Sequence, residues 1–192
     1  HRVSDLRRGV RRVAVPPTGG QRAGADRMTR RAIYAGSFDP PTLGHLDLIQ
    51  RSSELFDQLI VAVGINTSKT PFLSLDERIA LLIEMAEPYT NVTIAAFDGL
   101  LVHFARQQDC RILVRGLRAV TDFDYEFRVA LANRKLAPEI ETTFLLAREE
   151  YSFLASSVVR EVATLGGDVS LFVPPSVKAS IQTRFPAKGA TE

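Results

Sequence analysis

Gly36-Ser37-Phe38-Asp39-Pro40-Pro41-Thr42-Leu43-Gly44-His45 is the stretch of this chain best suited to chemistry. It follows an apolar run, Ala32-Ile33-Tyr34-Ala35, and opens an amphipathic segment. A strand, a glycine-bearing turn and a helix N-terminus together make a cradle for phosphate. Unpaired backbone N–H groups and the helix dipole both favour an anion there. The spacing is neither G-x-G-x-x-G nor G-x-x-x-x-G-K-[ST], which excludes a dinucleotide fingerprint and a P-loop. What remains is a T-x-G-H element. A lone histidine is usually structural, but His45 lies in a polar loop at a helix start, where a functional role is favoured. The positive end of that helix predicts a neutral imidazole.

Three more loops carry suitable groups. Asn66-Thr67-Ser68-Lys69-Thr70-Pro71 places Lys69 just past an apolar strand, where a point charge can swing onto a phosphate or simply stay solvated. Arg115-Gly116-Leu117-Arg118 directly follows the strand Ile112-Leu113-Val114. Its two arginines can fork onto separate phosphates across a glycine that admits close approach, the plainer reading being surface ion pairs. Tyr151-Ser152-Phe153-Leu154-Ala155-Ser156-Ser157-Val158-Val159-Arg160 brings hydroxyls to another helix start, as N-cap, phosphate contacts or both. His103, within Leu100–Phe104, reads as a helix residue with a core or rim role. Cys110 reads as a small buried hydrophobe rather than a nucleophile.

One cysteine and scattered histidines exclude a structural zinc site, and no G-x-S-x-G elbow suggests acyl transfer. The set is basic, rich in donors and without a protein nucleophile. That fits direct phosphoryl or nucleotidyl transfer, where catalysis is positioning and charge neutralisation.

Positioning these loops falls to an alternation of strands and helices. Strands are predicted over 31–36, 58–65, 91–96, 110–114 and 142–147. Helices are predicted over 44–56, 74–87, 100–107, 121–136, 156–165 and 174–184. Leu48, Ile49, Leu55 and Phe56 should share the buried face of the first helix. Leu59-Ile60-Val61-Ala62-Val63 is the near-continuous apolar run of a parallel strand covered on both faces. The pattern implies an α/β, doubly wound parallel sheet in one domain, with its ligand beyond the carboxyl ends of the strands. The loops after strands one, two, four and five should then face one cleft.

The chain has 192 residues, 45% of them hydrophobic and 24% charged, which suits one globular domain with a real core. No apolar run approaches the ~20 residues needed to span a bilayer, so no membrane is expected. The single cysteine fits a reducing cytosol, and a cytoplasmic location is expected. The net charge of +2 hides an asymmetry: residues 1–27 carry +5 and residues 28–192 carry −3. The arginine-, proline- and glycine-rich segment 1–27 predicts disorder. Without interleaved aromatics it is not read as a nucleic-acid arm. Met28 reads as the start of the natural protein, with an extension upstream, a domain over 28–187 and a short tail at 188–192.

Taken together, these strings resemble the bacterial phosphopantetheine adenylyltransferases over about residues 31–175. The resemblance rests on Gly36–Pro40, Thr42–His45, Arg115–Val120 and Asp122-Phe123-Asp124-Tyr125-Glu126, in family order. T-x-G-H alone is shared with nicotinate-mononucleotide and glycerol-phosphate enzymes of the same nucleotidyltransferase superfamily. The likeness implies a Rossmann-like nucleotidyltransferase fold and transfer of the adenylyl group of Mg²⁺-bound ATP to 4′-phosphopantetheine. It implies that His45 stabilises the transition state and meets ATP together with Ser37, Phe38, Gly116, Leu117, Arg118, Glu126 and Tyr151 to Ser157 (Ser152, Phe153, Leu154, Ala155 and Ser156 between them). Ser37, Lys69, Leu101 and Arg115 would bind the acceptor, and the chain would form a homohexamer. Two departures stand out: Ser37 where many relatives have threonine, and Ala155 where others have a third serine. The alternatives are adenylyl transfer to nicotinate mononucleotide and a nucleotide-sensing module without turnover.

Overall fold

Runs of β-branched and aliphatic residues with no polar face become the interior strands of a sheet covered on both sides. The structure, a computed structural model, describes residues 29–65 and 70–186. Strands β1 (Arg31–Gly36), β2 (Gln58–Gly64), β3 (Val92–Phe97), β4 (Ile112–Leu117) and β5 (Glu141–Leu146) form one five-stranded sheet ordered β3-β2-β1-β4-β5. Every neighbouring pair is parallel. The chain steps outward from β1 to β3, then returns to lay β4 against the free side of β1. The switch point therefore falls between β1 and β4, where Tyr34 stands opposite Val114.

Side chains of period two divide the core into two layers. Ala32 and Tyr34 of β1 face helices α1 (Leu43–Leu55), α2 (Leu75–Ala86), α5 (Ser156–Thr164) and α6 (Pro175–Arg184), packing with Leu48, Ile49, Leu82, Val159 and Val177. Ile33 and Ala35 face the opposite layer, with Val102 and Phe104 of α3 (Leu101–Gln107) and with Leu113 and Ile140. Helix α4 (Val120–Leu136) joins β4 to β5. Ser74 caps α2 as the sequence requires: its hydroxyl accepts from Glu77 N, and Ser74 N donates to the Glu77 carboxylate at 2.7 Å.

The fold is the expected doubly wound α/β sheet, with three local corrections. The fourth strand runs to Leu117, so Arg115, Gly116 and Leu117 lie in β4 rather than in a loop after it. Pairing with β1 stops at Val114, but the ladder with β5 continues through Arg115–Phe144, Gly116–Leu145 and Leu117–Leu146. An Arg-Gly pair looks like a strand end only when the neighbouring strand is unknown. In α1, Leu55 is 48% exposed instead of joining Leu48 and Ile49, because the helix ends there and the buried position is taken by Ser52. A 3₁₀ turn (Glu149–Tyr151) comes after β5, where sequence periodicity gives no signal.

Gly116 matters for packing. A Cβ built on it would lie 2.4 Å from Leu48 Cδ1, so a larger residue fits here only if the buried Leu48 side chain shifts. Gly116→Ala is expected to lower folding stability by about 1–3 kcal/mol, the range for overpacking a well-filled core. Chemical denaturation checks this. In a double-mutant cycle the loss caused by Gly116→Ala should be smaller in a Leu48→Ala background than in the parent chain if the clash is its source, and an unchanged midpoint in the single variant would contradict the contact.

Candidate functional site

The turn after β1 is built by hydrogen bonds to its backbone. Arg78 of α2 donates from Nη1 to Ser37 O at 2.7 Å, and Arg160 of α5 donates to Asp39 O. Ser156 Oγ donates to Pro40 O at 2.8 Å, and Leu43 N donates to Phe172 O at 2.9 Å. The Asp39 carboxylate reaches the other way and accepts from Phe72 N and Leu73 N at 2.8 and 2.7 Å. Phe38 is fully buried with φ of 48°, the left-handed region costly for a bulky residue. Packing holds it there: its ring meets Tyr34 and His45 edge-on, with centroids 5.4 and 4.9 Å apart.

His45 occupies the third position of α1 in a capping box with Thr42. Thr42 Oγ1 accepts from His45 N, and Thr42 N donates to His45 Nδ1 at 3.0 Å. A ring nitrogen that accepts a main-chain N–H carries no proton, so the neutral ring is protonated on Nε2. The imidazole pKa is lowered to about 4, first by burial and then by the charge of Arg118. The expectation of a neutral imidazole holds, with desolvation as its leading cause. The result is a neutral Nε2–H donor fixed from behind.

His45 lines a cleft of about 380 Å³ over the switch point. Ser37, Arg115, Gly116, Arg118, Glu126, Tyr151, Leu154, Ala155, Ser156 and Ser157 join it there, from the ends of β1 and β4, from α4, and from the segment before α5 and its first turn. Both arginine forks are engaged. Arg115 holds Glu126 through two hydrogen bonds of 2.6 and 2.7 Å and also donates to Ala35 O. Arg118 holds Asp122 at 3.0 Å and donates to Leu154 O. The ion-pair reading of these arginines is thus correct, and it coexists with their place at the cleft wall. Ala155, not a serine, is the N-cap of α5. Ser156 and Ser157 are its first two residues, and the Ser156 hydroxyl is spent on Pro40.

Other expected residues sit elsewhere. Phe38 is in the core, and Leu117 is buried at the end of β4. The Ser152 hydroxyl turns back to Glu149 O, while Phe153 is 59% exposed beside Phe172. Leu101 is half-buried against the α3-side core rather than in the cleft wall. Lys69 lies outside the described residues, as do the segments 1–27 and 188–192. The loops after β1, β4 and β5 do converge. The end of β2 instead lines an adjoining cavity of about 540 Å³, through Gly64 with Thr70, Arg78 and Arg184. Ser37 and Arg160 belong to the walls of both spaces.

Sequence reasoning gave no role to Tyr34 or Arg78, and quoted Thr42 and Arg160 only within longer strings. Thr42 was recoverable, since it precedes His45 by the capping-box spacing. Arg160 stands four residues after Ser156, on the same helix face. Arg78 carries no signal, being one charge on an amphipathic helix. His103 is exposed on α3, and Cys110 is buried with its thiol on Arg31 O and its pKa raised by burial. No group of three or more His, Cys, Asp or Glu that could hold a metal occurs among the described residues. No helix among them is long and apolar enough to cross a membrane.

Residues 33–162 match the family model described as cytidylyltransferase-like. A phosphopantetheine adenylyltransferase from Azoarcus is 52% identical over 157 residues, covering 82% of this chain and 96% of its own. One from Alkaliphilus metalliredigens is 51% identical over 145 residues, covering 76% of this chain and 92% of its own. A solved structure from Vibrio parahaemolyticus, assigned to the nicotinate-nucleotide adenylyltransferases, aligns with a TM-score of 0.60 at 20% identity. That alignment covers 82% of this chain and 93% of the other, a likeness of fold.

The lowered pKa of His45 makes a signed prediction. Between about 6.5 and about 4 the unfolded chain takes up a proton that folded His45 refuses. This contribution to stability is therefore intact above about 6.5 and falls as pH drops through that window. NMR titration of the His45 ring should give a midpoint near pH 4, and His45→Gln should flatten the acid side of the stability curve. A midpoint near 6.5 would contradict the burial.

Proposed function

We infer the reaction from kinship and site together: the chain belongs to the phosphopantetheine adenylyltransferases, and it transfers the adenylyl group of ATP to 4′-phosphopantetheine. The products are dephospho-coenzyme A and pyrophosphate, a step of coenzyme A biosynthesis. Beyond the kinship, the observation that carries this reading is the neutral Nε2–H donor of His45 in a cleft walled by guanidinium groups.

The chemistry needs no protein nucleophile. An oxygen of the acceptor phosphate attacks the α-phosphorus of ATP, and the bond from that phosphorus to the oxygen bridging to the β-phosphate breaks. The acceptor oxygen is already anionic, so no general base is required; the barrier is repulsion between two anions. His45 would donate to a non-bridging oxygen as charge builds there, and a neutral donor loses no proton in doing so. Arg118 would hold the polyphosphate, with Ser37 and the first N–H groups of α5 beside it. Arg115 and Lys69 would hold the acceptor phosphate, Arg115 by exchanging Glu126 for it. Gly116, Glu126 and the segment Tyr151–Ser157 would shape the ATP pocket. Phe38 and Leu117 support it from the core. Leu101, at the start of α3, would reach the pantetheine arm.

Magnesium enters as part of the substrate. Glu126, the one carboxylate among the described residues of the cleft wall, is taken by Arg115, so Mg²⁺ would be held by the oxygens of the polyphosphate and would add to its neutralisation. We place the activity in the cytoplasm, in one domain over about 28–187. We propose a homohexamer; that the chain associates at all is supported by exposed apolar side chains on α4 and the edge strand, Phe123, Phe127, Leu131 and Leu146.

Incubation with Mg-ATP and either 4′-phosphopantetheine or nicotinate mononucleotide should give pyrophosphate and dephospho-coenzyme A from the first acceptor alone, read by product mass. Turnover with the second acceptor would overturn the substrate. ATP binding without any product would leave a sensing module. His45→Ala should lower kcat by ~10²–10³-fold, the loss typical of one transition-state donor. Light scattering after chromatography should report six chains, and a monomer would refute the assembly.

A further inference from the structure

Tyr34 is a core residue by every measure but one. It lies in the middle of β1, is 5% exposed, and packs edge-on against Phe38 within the layer that includes Leu48 and Val114. A phenylalanine would fill that space equally well. The hydroxyl is the exception: it makes no hydrogen bond to any of the described residues, although buried tyrosine hydroxyls usually find a partner. It is not sealed in the core either: among the described residues the sealed side-chain atoms without a hydrogen bond are Ser52 Oγ and Asp47 Oδ1, and the latter pairs with Arg148 at 2.9 Å. Tyr34 lines the cleft. A nearly buried side chain at the cleft wall therefore carries one polar atom with no hydrogen bond among the described residues.

The surroundings indicate what that atom meets. The Tyr34 ring lies 6.5 Å from the His45 ring, centroid to centroid. Burial raises the phenol pKa, and the charges of Arg115 and Arg118 act on the hydroxyl in the opposite sense without reversing it. The group stays protonated and is a donor. A donor beside a second neutral donor, in the field of two guanidinium groups, suits an anionic oxygen better than a base edge or a ribose hydroxyl. We propose that the Tyr34 hydroxyl donates a hydrogen bond to a phosphoryl oxygen of the bound nucleotide, next to the oxygen served by His45.

This rests on the nucleotide cleft assigned above but not on the identity of the acceptor, and the test separates the two. Tyr34→Phe keeps the ring and its packing, so its melting temperature should match that of the parent chain. Calorimetric titration with Mg-ATP should then show about tenfold weaker binding, and kcat/KM should fall at least as far. Titration with adenosine, which has no phosphoryl oxygen, should show equal affinity in both proteins. Unchanged ATP affinity and turnover in the variant would overturn the proposal. An equal loss with adenosine would do so as well, by placing the hydroxyl on the nucleoside. If no dephospho-coenzyme A forms but the variant still loses ATP affinity selectively, the acceptor assignment falls and the Tyr34 contact stands.

Discussion

Two arginines from separate helices, Arg78 and Arg160, donate to main-chain carbonyls in the same short turn, and the cleft takes its shape from that restraint. Ser156 and Phe172 hold the turn from two further sides, and Asp39 returns the restraint to the segment before α2. Loops with function need a rigid base, because a displacement of an ångström in a donor costs much of its effect. Here the base is borrowed from the helices rather than built into the turn. The left-handed backbone at Phe38 is stabilised in the same way, by burying the ring between Tyr34 and His45.

Charge is distributed with similar restraint. Arg115 and Arg118 arrive already paired with carboxylates of α4, so the empty cleft is not a bare cluster of cations. An incoming phosphate competes with Glu126 and Asp122 for the same forks, which favours ligands rich enough in charge to win the exchange. Arg78 differs. It is nearly buried, donates only to carbonyls, and forms no ion pair among the described residues, leaving a fixed positive field under Ser37. His45 adds a donor without adding charge.

The fold was legible because strand and helix periods are local. Leu59–Val63 could only be a covered strand, and Ser74-Leu75-Asp76-Glu77 could only open a helix, whatever the rest of the chain did. The turn that carries Ser37 and His45 was legible for the same reason, since it comes directly after an apolar run. Illegible features depended on a distant partner. The end of β4 is set by β5, the exposure of Leu55 by where its helix stops, and the engagement of Arg115 by Glu126, eleven residues on. Arg78 gave no clue, because its acceptor is a backbone atom 41 residues away. Tyr34 read as one more β-former until its hydroxyl could be placed.

The turn after β1 is gripped by its carbonyl oxygens, which every residue type carries. Arg78 does not distinguish serine from threonine at position 37, and Arg160 is equally indifferent to the side chain of the residue whose carbonyl it holds. The scaffold is thus separated from the surface it presents, and the side chain at 37 can drift without loosening the cradle. That separation gives the site room to evolve: preference among phosphorylated acceptors can be retuned by a point change on a frame that stays fixed.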